Sequence, residues 1–409
     1  MPLLILKMYF CIILGRQKYE NSVFGRTKKI FSKKIVIAFV FLLLFVNIFN
    51  IFSTVASASD HWMWVDAEKR MYALAQGKIN KESVGRIIAY RDRLEKAIEE
   101  NEKIETILAD EQSELLQINN IIQKMSNAYT YVDRIEELKN NAKAQSNILA
   151  EKGNKYLLRI NQKIEKIYGD RKITEFYNSK GYANWFGYDF SSFLVLLLVL
   201  LSCSAVFAGE RENGMETLIL SSTCGRKRLS HCKKAACGTF SAIIAVLFFV
   251  SDFISFKLTT GMKGAFLPLY ALEGYEYTRL SINIFEFSIV LLLIKIFGFI
   301  LISYFVCVFS SCFSKGYAAF FSSFCFSLGL MYVCAYSGEK TSFVNFFNPI
   351  KLLTARNMFK SFSIARIASY PISRFAATAF GCLIVTIVLS VLIDSMNSKG
   401  QRREKSEFA

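Results

Sequence analysis

The chain has 409 residues, 53% of them hydrophobic, and its 50 basic and 33 acidic side chains leave a net charge of +17. A mean hydropathy of +0.31, with the apolar residues gathered into almost charge-free runs, excludes a soluble enzyme. The basic residues sit mainly at the ends of those runs rather than on one polar fold, which excludes nucleic acid as a partner and matches the Lys/Arg bias of cytoplasmic loops.

A hydrocarbon core about 30 Å thick needs roughly 20 apolar helical residues to cross it. The first run, Pro2 to Leu14, is too short and is broken by Lys7, so it reads as an interfacial helix within a cytoplasmic N-terminal segment, residues 1–34. Arg16, Lys18, Arg26, Lys28, Lys29, Lys33 and Lys34 then hold the N-terminus inside. The first transmembrane helix is expected over 35–58, its apolar run from Ile35 to about Val55. Ala56-Ser57-Ala58 resembles a signal-peptidase site, but the run has the length of a span and is read as an anchor.

Residues 59–188 change character, with no proline, no cysteine and many Glu, Lys, Asn, Ile and Leu residues. Leu94, Ile98, Ile104 and Leu108, then Leu115, Ile118, Ile121 and Ile122, recur at helical spacing, and so do Val132, Ile135 and Leu138. The pattern predicts an extracellular α-helical domain that folds back as an antiparallel hairpin or coiled-coil bundle, with a turn near Met125 to Tyr131. Tyr182, Trp185, Phe186 and Tyr188 mark the next membrane entry.

Five further spans are expected within 189–396, at about Asp189–Ala208, Cys237–Phe256, Ile284–Ser310, Tyr317–Tyr336 and Phe375–Ile393. They are separated by a polar loop at 209–236 and outer loops at 257–283 and 337–374, and end in a basic tail, 397–409. The fold class is therefore an all-α polytopic membrane protein of about six spans, with both termini inside. The stretch from Lys340 to Arg374 is basic yet falls outside in this topology, which is the one observation that opposes it.

The chain has no G-x-x-x-x-G-K-[ST] loop, no H-E-x-x-H and no G-x-S-x-G, so no enzyme activity is expected in it. Cys224, His231, Cys232 and Cys237 lack the paired spacing of a zinc knuckle and are read as fillers near a membrane face; no metal is expected. Ionisable residues within spans are costly in lipid and mark gating or substrate sites. Here they are Lys295 near the middle of the fourth span, Glu286 nearer its outer end, and Asp252 in the third span as a partner for Lys295.

The loop after the second span is the most informative stretch. Glu210, Glu212 and Glu216 lead a short amphipathic segment with Leu218 and Leu220, and Arg226, Lys227, Arg228, Lys233 and Lys234 follow. Such a segment suits docking of a cytoplasmic partner through an apolar ridge with charged flanks. It resembles the signature of type-2 ABC exporter permeases, with Glu210, Gly214, Glu216, Leu218, Leu220, Arg226 and Lys233 at matching places and Cys224 where the family usually has proline. The layout of one span, a large outer domain and five more spans is similar too, as is Asn348-Pro349. The resemblance implies a permease in a bacterial plasma membrane that pairs with a separate ATPase subunit and with a second permease copy or paralogue. ATP and Mg would be bound by the ATPase, with no cofactor in this chain, and the contacts would be Glu210, Glu212, Glu216 and Arg226. The competing readings are an ion-coupled secondary transporter and a non-transporting sensor or anchor whose outer domain binds a ligand. The cargo is left open.

Overall fold

The computed structural model describes residues 27, 30, 34–58, 62–100, 105–214, 226–336, 343–367 and 370–407. The expected interfacial helix at Pro2–Leu14 lies outside them. Among the described residues, six helical stretches are long and apolar enough to cross a membrane: Lys34–Val55, Lys180–Glu212, Arg228–Thr259, Ile284–Cys312, Gly316–Tyr336 and Arg374–Asn397. The protein is predominantly helical and compatible with a multi-pass membrane protein.

The first crossing helix, α1 (Lys34–Ala58), is followed by a helical lobe of α2 (Trp62–Ala75), α3 (Lys81–Glu100), α4 (Glu105–Tyr129), α5 (Tyr131–Glu151) and α6 (Lys155–Tyr168). The second crossing stretch comprises α7 (Lys180–Gly187), α8 (Phe190–Cys203) and α9 (Ala205–Glu212). Then come α10 (Arg226–Thr259), α11 (Ile284–Cys312), α12 (Gly316–Tyr336), the short α13 (Ile350–Leu353) and α14 (Arg374–Glu407).

The bundle is built around α11, which packs against α8, α10, α12 and α14. Small residues make that closeness possible, since lipid supplies no hydrophobic drive between helices. Ser288, Ser303 and Ser310 are buried along α11, and a Cβ at Gly298 would stand 3.2 Å from that of Leu352. Two buried clusters divide the bundle lengthwise. One, at the head end beside the lobe, holds Ile51, Trp185, Phe186, Phe287 and Phe359. The other, at the tail end, holds Val36, Val40, Phe207, Phe240 and Ile393. The start of α1 and the far part of α14 thus share one end, as six crossings require.

In the lobe, α4 packs against both α2 and α3 through Met71, Tyr72, Ile87, Ile118, Ile121 and Met125. Helices α5 and α6 form a separate pair, reversing at Gly153 with φ +67°. The fold-back expected at Met125–Tyr131 is not where the chain reverses. The Thr130 N–H donates to the Ser126 carbonyl (2.9 Å) and the Arg134 N–H to the Thr130 carbonyl (3.1 Å), so Thr130 closes the last turn of α4 and opens the first of α5. With neither Gly nor Pro between Met125 and Tyr131, Thr130 separates α4 from α5 without a left-handed residue to turn the chain back.

Two small antiparallel sheets lay beyond the all-α expectation. β1 (Gly77–Lys78) pairs with β2 (Glu175–Phe176), tying the start of the lobe to its end. β3 (Ile364–Ile367) pairs with β4 (Tyr370–Ser373) and feeds directly into α14. The expected outer loop 257–283 is folded: the Leu269 N–H donates to the Ile282 carbonyl (2.8 Å), the Ile284 N–H to the Leu267 carbonyl (3.0 Å), and Leu269 and Leu272 are fully buried. The lobe rests on this segment through Arg171, which donates to the Thr278 carbonyl (2.5 Å) and to Ser281 (3.0 Å).

Candidate functional site

The tail end of the bundle gathers the residues that sequence singled out around 209–236. The joint between α8 and α9 comes first. The buried Ser310 hydroxyl of α11 donates to the Ser204 carbonyl (2.6 Å) and accepts from the Phe207 and Ala208 N–H groups (2.9 and 3.1 Å). A hydroxyl inserted into the backbone ladder is a recognised cause of a helix bend, and it sets the direction in which α9 leaves the bundle.

Three consecutive charged residues on α9 then clasp three different helices, because successive side chains are about 100° apart around the axis. Glu210 pairs with Lys233 of α10. Arg211 donates to the Ser311 carbonyl (2.5 Å) and the Phe313 carbonyl (3.2 Å), closing the C-terminal end of α11, where a cation is favoured. Glu212 accepts from the Gly316 N–H (3.3 Å) at the start of α12. Gly214, at φ +65°, supplies the left-handed residue that leads the chain out of α9.

The other flank is held equally firmly. The helix that carries the span expected from Cys237 begins at Arg226, its crossing-length stretch running Arg228–Thr259, because Lys233 and Lys234 find partners inside and the helix runs on through the basic stretch. Lys233 is 3% exposed and lies 4.3 Å from the centre of the Phe207 ring. Lys234, 2% exposed, donates to both carboxylate oxygens of Asp394 (2.9 and 2.8 Å) and to the Ser390 hydroxyl (2.8 Å) on α14. Ser230, one turn earlier on the same face, also donates to Asp394 (2.8 Å). A buried ammonium is tolerated only when paired and hydrogen-bonded, and both lysines meet that condition.

Glu210, Glu212, Gly214 and Lys233 are therefore brought together. Arg226 opens α10, whereas Glu216, Leu218, Leu220 and Cys224 lie outside the described residues. His231 sits 3.6 Å from Asp394, and Cys232 and Cys237 are buried in α10. Ser310, Ser390 and Asp394 had no signal in the sequence: each is an ordinary residue at the edge of an apolar run, and only helix packing gives it a partner.

The intramembrane candidates occupy the head end. Asp252, 2% exposed, accepts from the Asn47 side-chain amide of α1 (2.6 Å), while Lys295 donates to Ser192 of α8 (3.1 Å). The expected Asp252–Lys295 ion pair is not formed within 4 Å, because each group has a nearer neutral partner. They remain electrostatic neighbours, joined by Asp189, which holds Arg356 in a two-pronged pair (2.7 and 2.8 Å). Glu286 stands apart. It is exposed in the first turn of α11 and closes a capping box with Asn283, accepting from its N–H (3.1 Å) while Asn283 accepts from the Glu286 N–H (2.7 Å).

Several charges of the anomalously basic 340–374 stretch are consumed locally. Arg356 is paired with Asp189, Lys351 donates to the Cys334 carbonyl (3.3 Å) and Arg374 to the Ile364 carbonyl (3.3 Å). The chain matches no family model and no curated protein.

Proposed function

We propose that this protein is the permease subunit of an ATP-driven exporter, resembling the type-2 ABC class, and that a separate ATPase subunit docks at the segment between α9 and α10. The single observation that carries the reading is the anchoring of both flanks of that segment. Glu210, Arg211 and Glu212 fasten the first flank to α10, α11 and α12, and Lys233 and Lys234 fasten the second to α9 and α14. A partner that pulled or pushed on 213–225 would act on five crossing stretches at once, those of α9, α10, α11, α12 and α14, which an ordinary loop between spans has no need to do.

In this reading the tail end faces the cytoplasm of a bacterium and carries both termini, and the helical lobe is extracellular. The chain itself performs no catalysis; ATP and Mg are bound by the ATPase, and a second permease copy or paralogue completes the pathway. Asp252 and Lys295, buried or partly buried between helices, are the groups placed to respond when the head end moves. The test is co-purification from mild detergent. A P-loop ATPase is expected to accompany the wild-type chain and to be lost with Glu216→Lys, while membrane insertion and helical content persist. Retention of the ATPase and of its coupled hydrolysis by that variant would refute the docking site.

A further inference from the structure

A cavity of about 350 Å³ lies between α4, strand β2 and the 267–276 segment that joins α10 to α11. Pockets of this size hold small organic ligands when a few polar groups converge on an otherwise apolar lining. Here Tyr72 stacks on Phe176 (5.8 Å between ring centres) and Tyr131 on Tyr270 (5.3 Å), so the apolar part of the lining is rigid.

What distinguishes the cavity is which of its polar groups are already engaged. Lys124 and Lys180 are neutralised by Glu273 (2.8 Å) and Glu68 (2.9 Å). Glu175 is partly buried, and its carboxylate makes no hydrogen bond or ion pair with any described residue. The Nε–H of Arg134 is buried without an acceptor. Asn120, Gln123 and Asn127, all exposed, fall at i, i+3 and i+7 of α4, so their amides share one face of the lining, and none hydrogen-bonds to any described residue.

The unmet chemistry is thus the Glu175 carboxylate, a second carboxylate on Glu276 held only by the Gly274 N–H (3.0 Å), the Nε–H of an Arg134 whose Nη2 already donates to the Asn127 carbonyl (2.5 Å), and a row of groups that both donate and accept. A saccharide offers no cation for Glu175, and an anion offers no donor to it. A peptide backbone presents donors and acceptors in alternation, and a terminal ammonium or a basic side chain completes the set. We propose that this cavity binds a short peptide carrying a cationic group, with the cation on Glu175 and the backbone along the Asn120–Asn127 stripe. The bound peptide bridges the lobe to the segment leading into α11.

The experiment uses the full chain in phosphatidylcholine nanodiscs. Equilibrium dialysis is run against an equimolar library of tripeptides with Lys, Glu or Ser at the first position, with maltotriose as a separate arm, and the bound fraction is read by mass spectrometry. Enrichment of the Lys series is expected, weakened about tenfold by Glu175→Gln and unchanged by Glu82→Gln, an exposed control on α3. Both variants are required to melt with the wild type, which is reasonable because β2 pairs through its backbone. No enrichment, preference for the Glu series or maltotriose, or indifference to Glu175→Gln would each overturn the proposal.

Discussion

Lys234 shows how a residue acquires meaning only through its neighbours. In the sequence it is one of six basic residues in the expected 209–236 loop, with nothing to separate it from Arg228. In the fold it is almost fully buried and bound to Asp394 and Ser390. Removing one member of a buried pair leaves the other charge stranded, at about 3–5 kcal/mol, whereas removing both with apolar replacements is nearly neutral. Asp394 retains 22% side-chain exposure, so Lys234→Met is expected toward the lower end of that range. The double variant Lys234→Met/Asp394→Leu should recover more than half of the loss, measured by thermal unfolding in detergent. A single variant that melts with the wild type would show that the pair carries no stability. Lys295 is the converse case: its position mid-helix made it legible from sequence, but its partner was not, since Ser192 and Asp252 compete for it only once α8 and α10 are packed.

Among elements, the lobe and the β3–β4 hairpin clasp each other through reciprocal cation–aromatic contacts. Arg159 of α6 lies 4.0 Å from the Tyr370 ring centre, and Arg366 of β3 lies 5.0 Å from that of Tyr156. Because β4 runs straight into α14, the lobe is mechanically continuous with the helix that carries Asp394. The other fixed point of α6 is Tyr168, whose hydroxyl donates to the Tyr277 carbonyl (2.8 Å). Burial pushes the Tyr168 hydroxyl up to about 12, against an opposing effect of the Arg171 guanidinium. The group therefore holds its proton more tightly folded than unfolded. Its contribution to stability is complete below pH about 10 and is lost progressively as the pH rises through about 12. Hydrogen exchange of α6 between pH 9 and 12 should show protection falling above pH 10, and Tyr168→Phe should remove most of that fall. Equal pH dependence in the phenylalanine variant would assign the loss elsewhere.

At the scale of the molecule, six stretches long and apolar enough to cross a membrane put the start of α1 and the far part of α14 at the end opposite the lobe. The proposed orientation makes that end cytoplasmic. An impermeant thiol reagent should label Glu137→Cys, on the exposed surface of the lobe, in intact cells, and Gln401→Cys only after permeabilisation. The reverse pattern would invert the topology and, with it, the location of the coupling site. The basic 340–374 stretch opposes this orientation by charge counting, and the pairing of Arg356 with Asp189 does not alter that count, so the labelling result decides between them.

By itself the sequence determined that six stretches are long and apolar enough to cross a membrane, and that a long amphipathic helical region separates the first from the rest. Those properties are written in local hydropathy and in a 3.6-residue period, and a single chain segment carries each of them. It also singled out Glu210, Glu212, Gly214 and Lys233 as neighbours in a loop. Only the tertiary structure decided that Glu210, Arg211 and Glu212 point to three different helices, that Ser310 inserts at the α8–α9 joint, that the lobe reverses at Gly153 rather than near Tyr129, and that Asp252 answers to Asn47 rather than Lys295. Each of these depends on which residue from a distant segment arrives within hydrogen-bond reach. That is a property of helix packing, and neither spacing nor composition along the chain encodes it.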